Sequence, residues 1–191
     1  MTRVVIAEDE AIIRLDLRET LVEEGYEVVG ETGRGDEAVR LVRELAPDLV
    51  ILDIKMPGMD GLEAARLIHG DRLAAVLILT AFSQRELIVQ ARDAGALAYL
   101  VKPFQRSDLV PAIEVALGRF AELRALQEQS LDLEDRLATR KLLDRAKGIL
   151  MDDCALGEQA AFRFVQTTAM TERSTMKLVA ERIIEGELRP T

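Results

Sequence analysis

The sequence predicts an α/β fold: a doubly wound (βα)5 domain, followed by an all-α part made of a coiled coil and a three-helix bundle. Three observations carry this. Apolar runs of strand length recur at 3–7, 27–31, 48–52, 75–79 and 97–101, with helically spaced stretches between them. The runs are nearly continuously apolar, as expected of parallel strands covered on both faces by crossover helices. After Gly118 the strand pattern stops.

The elements follow in order. RVVIA opens the chain, and Ile13, Leu17 and Leu21 mark a helix that ends near Gly25. The run at 27–31 precedes a second helix with Ala38, Leu41, Val42 and Leu45 on one face and Pro47 beyond it. LVIL, VLIL and AYLV supply the last three strands, with Gly70 and Gly95 punctuating the helices between them. The strand order expected for this pattern is 2-1-3-4-5. From Phe120 to about Met151 there is no proline, and Gly148 stands as the one glycine able to interrupt a helix. Leu123, Leu126, Ser130, Leu133 and Leu137 follow 3,4 spacing, which suits either an amphipathic helix packed on its own protein or a short coiled coil. Two more helices are expected near 158–170 and 174–186. No flexible linker separates a first domain at 1–120 from a second part at 121–191, so continuous or nearly continuous helix is expected to join them.

Composition narrows the class. The 191 residues suffice for one large domain or two small ones, and 49% hydrophobic residues suffice for a core. The apolar runs are too short to span a bilayer, and the N-terminus has no signal-peptide pattern. Cys154 is the single cysteine, which excludes an internal disulfide and suits the cytoplasm; with one histidine it also excludes a His/Cys zinc cluster. The net charge of −9 argues against nucleic acid at first sight, but the acidic excess lies in 1–137, and 138–191 carries a slight basic excess.

Each strand that ends on the same sheet edge ends on chemistry. Glu8 and Asp9 follow RVVIA, Asp53 follows LVIL, Thr80 follows VLIL, and Lys102 follows YLV. Ligands of open α/β sheets bind in the crevice at the C-terminal strand ends. Carboxylates there are hard oxygen ligands of the kind magnesium prefers. Lys102 offers a point charge to a phosphate oxygen and Thr80 a hydroxyl, while a carboxylate needs no base to act as nucleophile. Gly58 and Gly61 in MPGMDG suit turn geometry and make no P-loop. His69 lies away from this edge and reads as a surface residue. The edge carries no evident pocket for a small-molecule substrate, which weighs against a phosphohydrolase.

VVIAEDE, LVILDIKMPGMDGLE, ILTAF and AYLVKPF, in this order and spacing, resemble the receiver domain of two-component response regulators across about residues 1–120. The resemblance implies that Asp53 accepts a phosphoryl group from a sensor histidine kinase. It implies that Glu8, Asp9, Asp53 and the backbone carbonyl of Lys55 hold Mg2+, that Lys102 and Thr80 bind the phosphoryl group, and that the Lys102–Pro103 bond is cis. Ala81 matches the small residue that lets phosphate approach, and Tyr99 the aromatic that reports phosphorylation. Such a protein is a phosphoacceptor with at most slow autodephosphorylation, not an enzyme.

TRKLLDRAKGILM, AAFRFVQTTAM and RSTMKLVAERII resemble the ANTAR output domain of transcription antiterminators over roughly 125–186. That resemblance implies binding of RNA stem-loops in leader transcripts. Arg140, Lys147, Arg163, Arg173 and Lys177 are the candidate cations for RNA phosphates, with Lys147 and Arg173 foremost. Leu142, Leu143, Ile149, Leu150, Phe162, Val165, Met170, Val179 and Ile183 are expected in the core, and Gly148 is expected to let a helix or RNA backbone come close. Cys154, Ala155 and Gly157 depart from the glycine C-cap and hydroxyl N-cap usual between the first two helices, and Gln166 stands where arginine is common. The last helix pairs Lys177 and Arg182 with Glu181 and Glu185, a poor reader of a DNA major groove. Phosphorylation is expected to move Thr80 and Tyr99 and to release or dimerise the helical tail. The alternative is a phosphorylation-dependent regulator that docks protein and binds no RNA.

Overall fold

A computed structural model describes residues 1–81 and 85–190; Phe82 of the ILTAF motif lies outside them. The elements run β1 (Arg3–Ala7), α1 (Ala11–Glu23), β2 (Glu27–Thr32), α2 (Gly35–Leu45), β3 (Leu49–Asp53), α3 (Gly61–Gly70), β4 (Ala75–Thr80), α4 (Arg85–Asp93), β5 (Ala98–Val101), α5 (Arg106–Cys154), α6 (Glu158–Thr171) and α7 (Met176–Ile184). The five strands are parallel in the order β2-β1-β3-β4-β5. The chain divides into two compact units, Met1–Arg124 and Ala125–Thr191.

Strand alternation builds the first unit. On one face Val5, Ala7, Val50, Leu52, Val76 and Ile78 meet the buried sides of α2, α3 and α4. On the other, Val4, Ile6, Leu49, Ile51, Leu77 and Leu79 meet Leu17 and Leu21 of α1 and Leu109, Ile113 and Ala116 of α5. The central strands β3 and β4 are buried at every position, which explains why their sequences show no polar alternation. Asp60 caps α3 by accepting a bond from the Glu63 amide at 2.7 Å.

The second unit has its own core of Ala146, Leu150, Ala161, Val165, Ala169, Val179, Ala180 and Ile183. Half of these are alanines, so the helix backbones approach closely. Thr175 caps α7 through the Leu178 amide at 3.2 Å. Gly157 stands at the N-cap of α6 without a side-chain bond, and Ala155, just past α5, takes a φ of +53°. A Cβ in that left-handed region costs about 1 kcal/mol, a strain a glycine would avoid.

One expectation needs correction, and two open alternatives are narrowed. Phe162 is 42% exposed and Met170 is 75% exposed, although both fit helical spacing with the core. The small residues Ala161 and Ala169 occupy the core positions beside them. Gly148 neither interrupts α5 nor admits a neighbouring helix: a Cβ there would meet nothing within 4 Å. Leu123, Leu126, Leu133 and Leu137 are exposed, so the packed reading of the α5 leucine stripe finds no support among the described residues.

Candidate functional site

The C-terminal ends of β1, β3, β4 and β5 bring Glu8, Asp53, Thr80 and Lys102 to one edge. Lys102 extends between two acids. Its Nζ lies 2.5 Å from Glu8 Oε2 and 2.9 Å from Asp53 Oδ1. Glu8 is fully buried, and Asp53 and Thr80 nearly so, whereas Asp9 is exposed. One oxygen from each of Glu8, Asp9 and Asp53 falls within 4.8 Å of the others. Three hard oxygen donors so close together, one of them open to solvent, fit a small divalent cation.

The electrostatics follow from this crowding. Burial raises the Glu8 carboxyl above its ordinary range, and the Asp53 charge adds to that; the bond from Lys102 works the other way without cancelling it. Burial alone would lower the Lys102 ammonium, but its bonds to Glu8 and Asp53 outweigh that and hold it above its usual value. Lys102 is thus the counterion of a buried acidic pair.

Backbone geometry completes the edge. The Lys102–Pro103 bond is cis. The Lys55 amide donates to Asp53 Oδ2 at 3.1 Å, which helps to orient the carboxylate. Arg14 Nη1 donates to the Glu8 carbonyl at 2.5 Å. Gly58 takes φ +82°, as its turn requires. Gly61 serves differently from the turn role expected of it: a Cβ there would lie 1.9 Å from the Asp53 carbonyl oxygen. Only glycine lets α3 start against the strand that carries Asp53. Sequence reasoning misses this contact and that of Arg14, because neither belongs to a local pattern. Tyr99 is half exposed on β5, and His69 is exposed on α3. Beside Lys102 runs a groove of about 440 Å³ lined by Ile12, Ile13, Ala81, Pro103 and Phe104, where no concavity was expected.

In the second unit the five candidate cations differ in how far they are engaged. Lys147 is largely covered and pairs with Asp144 at 2.9 Å and Glu158 at 3.1 Å. Lys177 pairs with Asp135 at 2.6 Å. Arg140 lies in the field of Asp144. Arg163 and Arg173 are exposed and have no ion pair among the described residues, and Arg173 sits in the α6–α7 turn with φ +51°. The structure therefore gathers the receiver residues at one point but spreads these cations along α5, α6, the turn after it and α7.

Sheet order and carboxylate edge together define a receiver-type domain. The family profile of the response regulator receiver domain matches residues 4–114, and that of the ANTAR domain matches 131–184. The chain is 57% identical over 183 residues to the transcriptional regulatory protein PdtaR of Mycobacterium tuberculosis, covering 96% of this chain and 89% of that one. It is 40% identical over 112 residues to the chemotaxis protein CheY of Thermotoga maritima, covering 58% of this chain and 93% of that one. A CheY-like receiver domain structure from Methanospirillum hungatei superimposes with a TM-score of 0.59 at 28% identity, covering 64% of this chain and 98% of that one. The chain belongs to the response regulators: a receiver domain joined to an ANTAR output domain, and hence a regulator of transcription. No helix among the described residues is long and apolar enough to cross a membrane.

Proposed function

We propose that a sensor histidine kinase phosphorylates Asp53, and that the phosphorylated chain binds RNA stem-loops and thereby controls transcription antitermination. Residues 1–120 are the phosphoacceptor part, and 121–191 the helical linker and output. Glu8, Asp9 and Asp53, with the Lys55 carbonyl, would hold Mg2+. When bound, the ion neutralises the acids and the oxygens of the arriving phosphoryl group.

The chain's own residues do the rest. An oxygen of Asp53 attacks phosphorus while the phosphorus–nitrogen bond of a phosphohistidine breaks, its electron pair returning to the imidazole. The carboxylate is already charged, so no base is needed. Lys102 transfers its hydrogen bond from Asp53 to a phosphoryl oxygen, and Thr80 donates to another. Ala81, with its small side chain, leaves room for the group. Movement of Thr80 lets Tyr99 turn from its half-exposed position and so reshapes β5 and the helices beside it. The exposed leucines of α5 then join a second copy, which pairs two outputs for two stem-loops. Arg140, Lys147, Arg163, Arg173 and Lys177 face RNA phosphates in this reading, with Lys147 and Lys177 first leaving their acid partners.

The observation that carries the proposal is Lys102 set 2.9 Å from Asp53 beside three acid oxygens within 4.8 Å. Incubation with acetyl phosphate and magnesium should add the mass of one phosphoryl group. Asp53→Asn should abolish that gain, and label persisting in this variant would refute the assignment.

A further inference from the structure

The α6 helix shows a second stripe that its core role does not use. Ala161, Val165 and Ala169 face the core, while Gln159, Phe162, Arg163 and Gln166 share another face at i, i+3, i+4 and i+7 spacing. These four residues, with Lys147 and Glu158, line a concavity of about 560 Å³. The aromatic ring in it is 42% exposed. Phe164, the other aromatic of this unit, packs against the core.

The surroundings of Phe162 say what kind of group would cover it. Every other lining residue is polar or charged. A hydrophobic protein surface would leave two amides and a guanidinium without partners, at a cost comparable to what burying one ring returns. An unpaired nucleobase suits all of them together. It has a π-face for the ring, an edge of donors and acceptors for the amides, and a phosphate for the cation. Gln159 and Gln166 each present a donor and an acceptor. Arg163 has no acid partner among the described residues. The one acid of the concavity, Glu158, is outnumbered there by Lys147 and Arg163, so the lining as a whole attracts a phosphate.

We propose that the exposed ring of Phe162, in the concavity formed with Gln159, Arg163 and Gln166, is a stacking platform for one unpaired RNA base. This rests on the reading of the output unit as an RNA binder and adds to it the site where a loop base is held. The role is recognition, not packing. A leucine at 162 keeps the apolar volume but loses the π-face, and a tryptophan keeps both.

The test uses the full chain after treatment with acetyl phosphate and magnesium. A library of paired RNA hairpins with randomised loops is enriched on the native protein, and affinities of the enriched RNA are measured by fluorescence anisotropy. Phe162→Leu should weaken binding about tenfold, and Phe162→Trp should bind as the native chain does. With 2-aminopurine at the contacted loop position, the native protein and F162W should quench its fluorescence and F162L should not. Native-like affinity in F162L would overturn the platform while leaving the RNA reading intact. Equal loss in F162L and F162W, with no quenching by the native protein, would also overturn it, by making residue 162 a packing position. No enrichment on the native protein would remove the RNA reading itself, and the platform with it. The quenching by native protein needs no variant, so it decides the matter even if F162L folds poorly.

Discussion

The receiver edge and the output surface both carry charged groups, yet they treat them in opposite ways. At the edge, Glu8 and Asp53 are buried and both bond the largely covered Lys102, so each depends on the others. On the output unit, Arg163 and Arg173 are exposed and Lys177 is half exposed, and the acids that Lys177 and the more covered Lys147 meet are themselves exposed. Buried charges must be paired or neutralised, whereas exposed pairs contribute little. The first region therefore keeps its geometry as long as its partners are in place. The second can exchange partners, which is what a surface needs if it is to trade a carboxylate for an RNA phosphate.

Removing one charge from each region should separate them most widely. Lys102→Ala leaves two buried carboxylates without their counterion and should cost about 3 kcal/mol without divalent cation, read from urea unfolding. Magnesium should restore part of that loss. Lys177→Ala should leave the urea midpoint almost unchanged, because its bond to Asp135 is exposed. Equal costs would break the contrast.

Glycines sharpen it further. Gly61→Ala drives a Cβ into the Asp53 carbonyl and should cost about 2 kcal/mol in thermal unfolding. Gly148→Ala meets open space inside α5 and should instead stabilise by about 0.5–1 kcal/mol. The same substitution should thus change sign between the two regions.

The last effect shows itself only at high pH and concerns a buried polar contact of the first unit. Tyr26 donates to Glu114 Oε1 at 3.0 Å. Burial and that carboxylate push its phenol up to about 12. A raised folded value means the neutral phenol favours the folded chain. The benefit over Tyr26→Phe, about 1 kcal/mol, should be complete below the ordinary phenol range near pH 10 and lost as pH rises towards 12. A difference that grew with pH would contradict the assignment.

Much of the fold and of the receiver edge is legible in the residues. Strand runs and their order can be read because a parallel sheet buried on both faces demands unbroken apolar segments. Acids, a hydroxyl and a lysine at the ends of those segments suit little besides a cation and a phosphoryl group. The contact of Gly61 escapes such a reading, because its neighbour, the Asp53 carbonyl, is backbone and leaves no mark on side-chain pattern. Phe162 and Met170 mislead because helical spacing gives a direction around the axis but not the width of the buried stripe. In α6 that stripe is narrow, and alanines make up most of it.

Sequence alone determined that this chain has a parallel α/β unit with acids, a hydroxyl and a lysine at strand ends, followed by helices. Residue type and period suffice for that, since they decide which face can leave water. Tertiary structure decided which cations are already engaged by acids, where α3 must touch the Asp53 strand, and which aromatic of the output is turned outward. Those depend on distances between elements remote in sequence, and no local pattern encodes a distance.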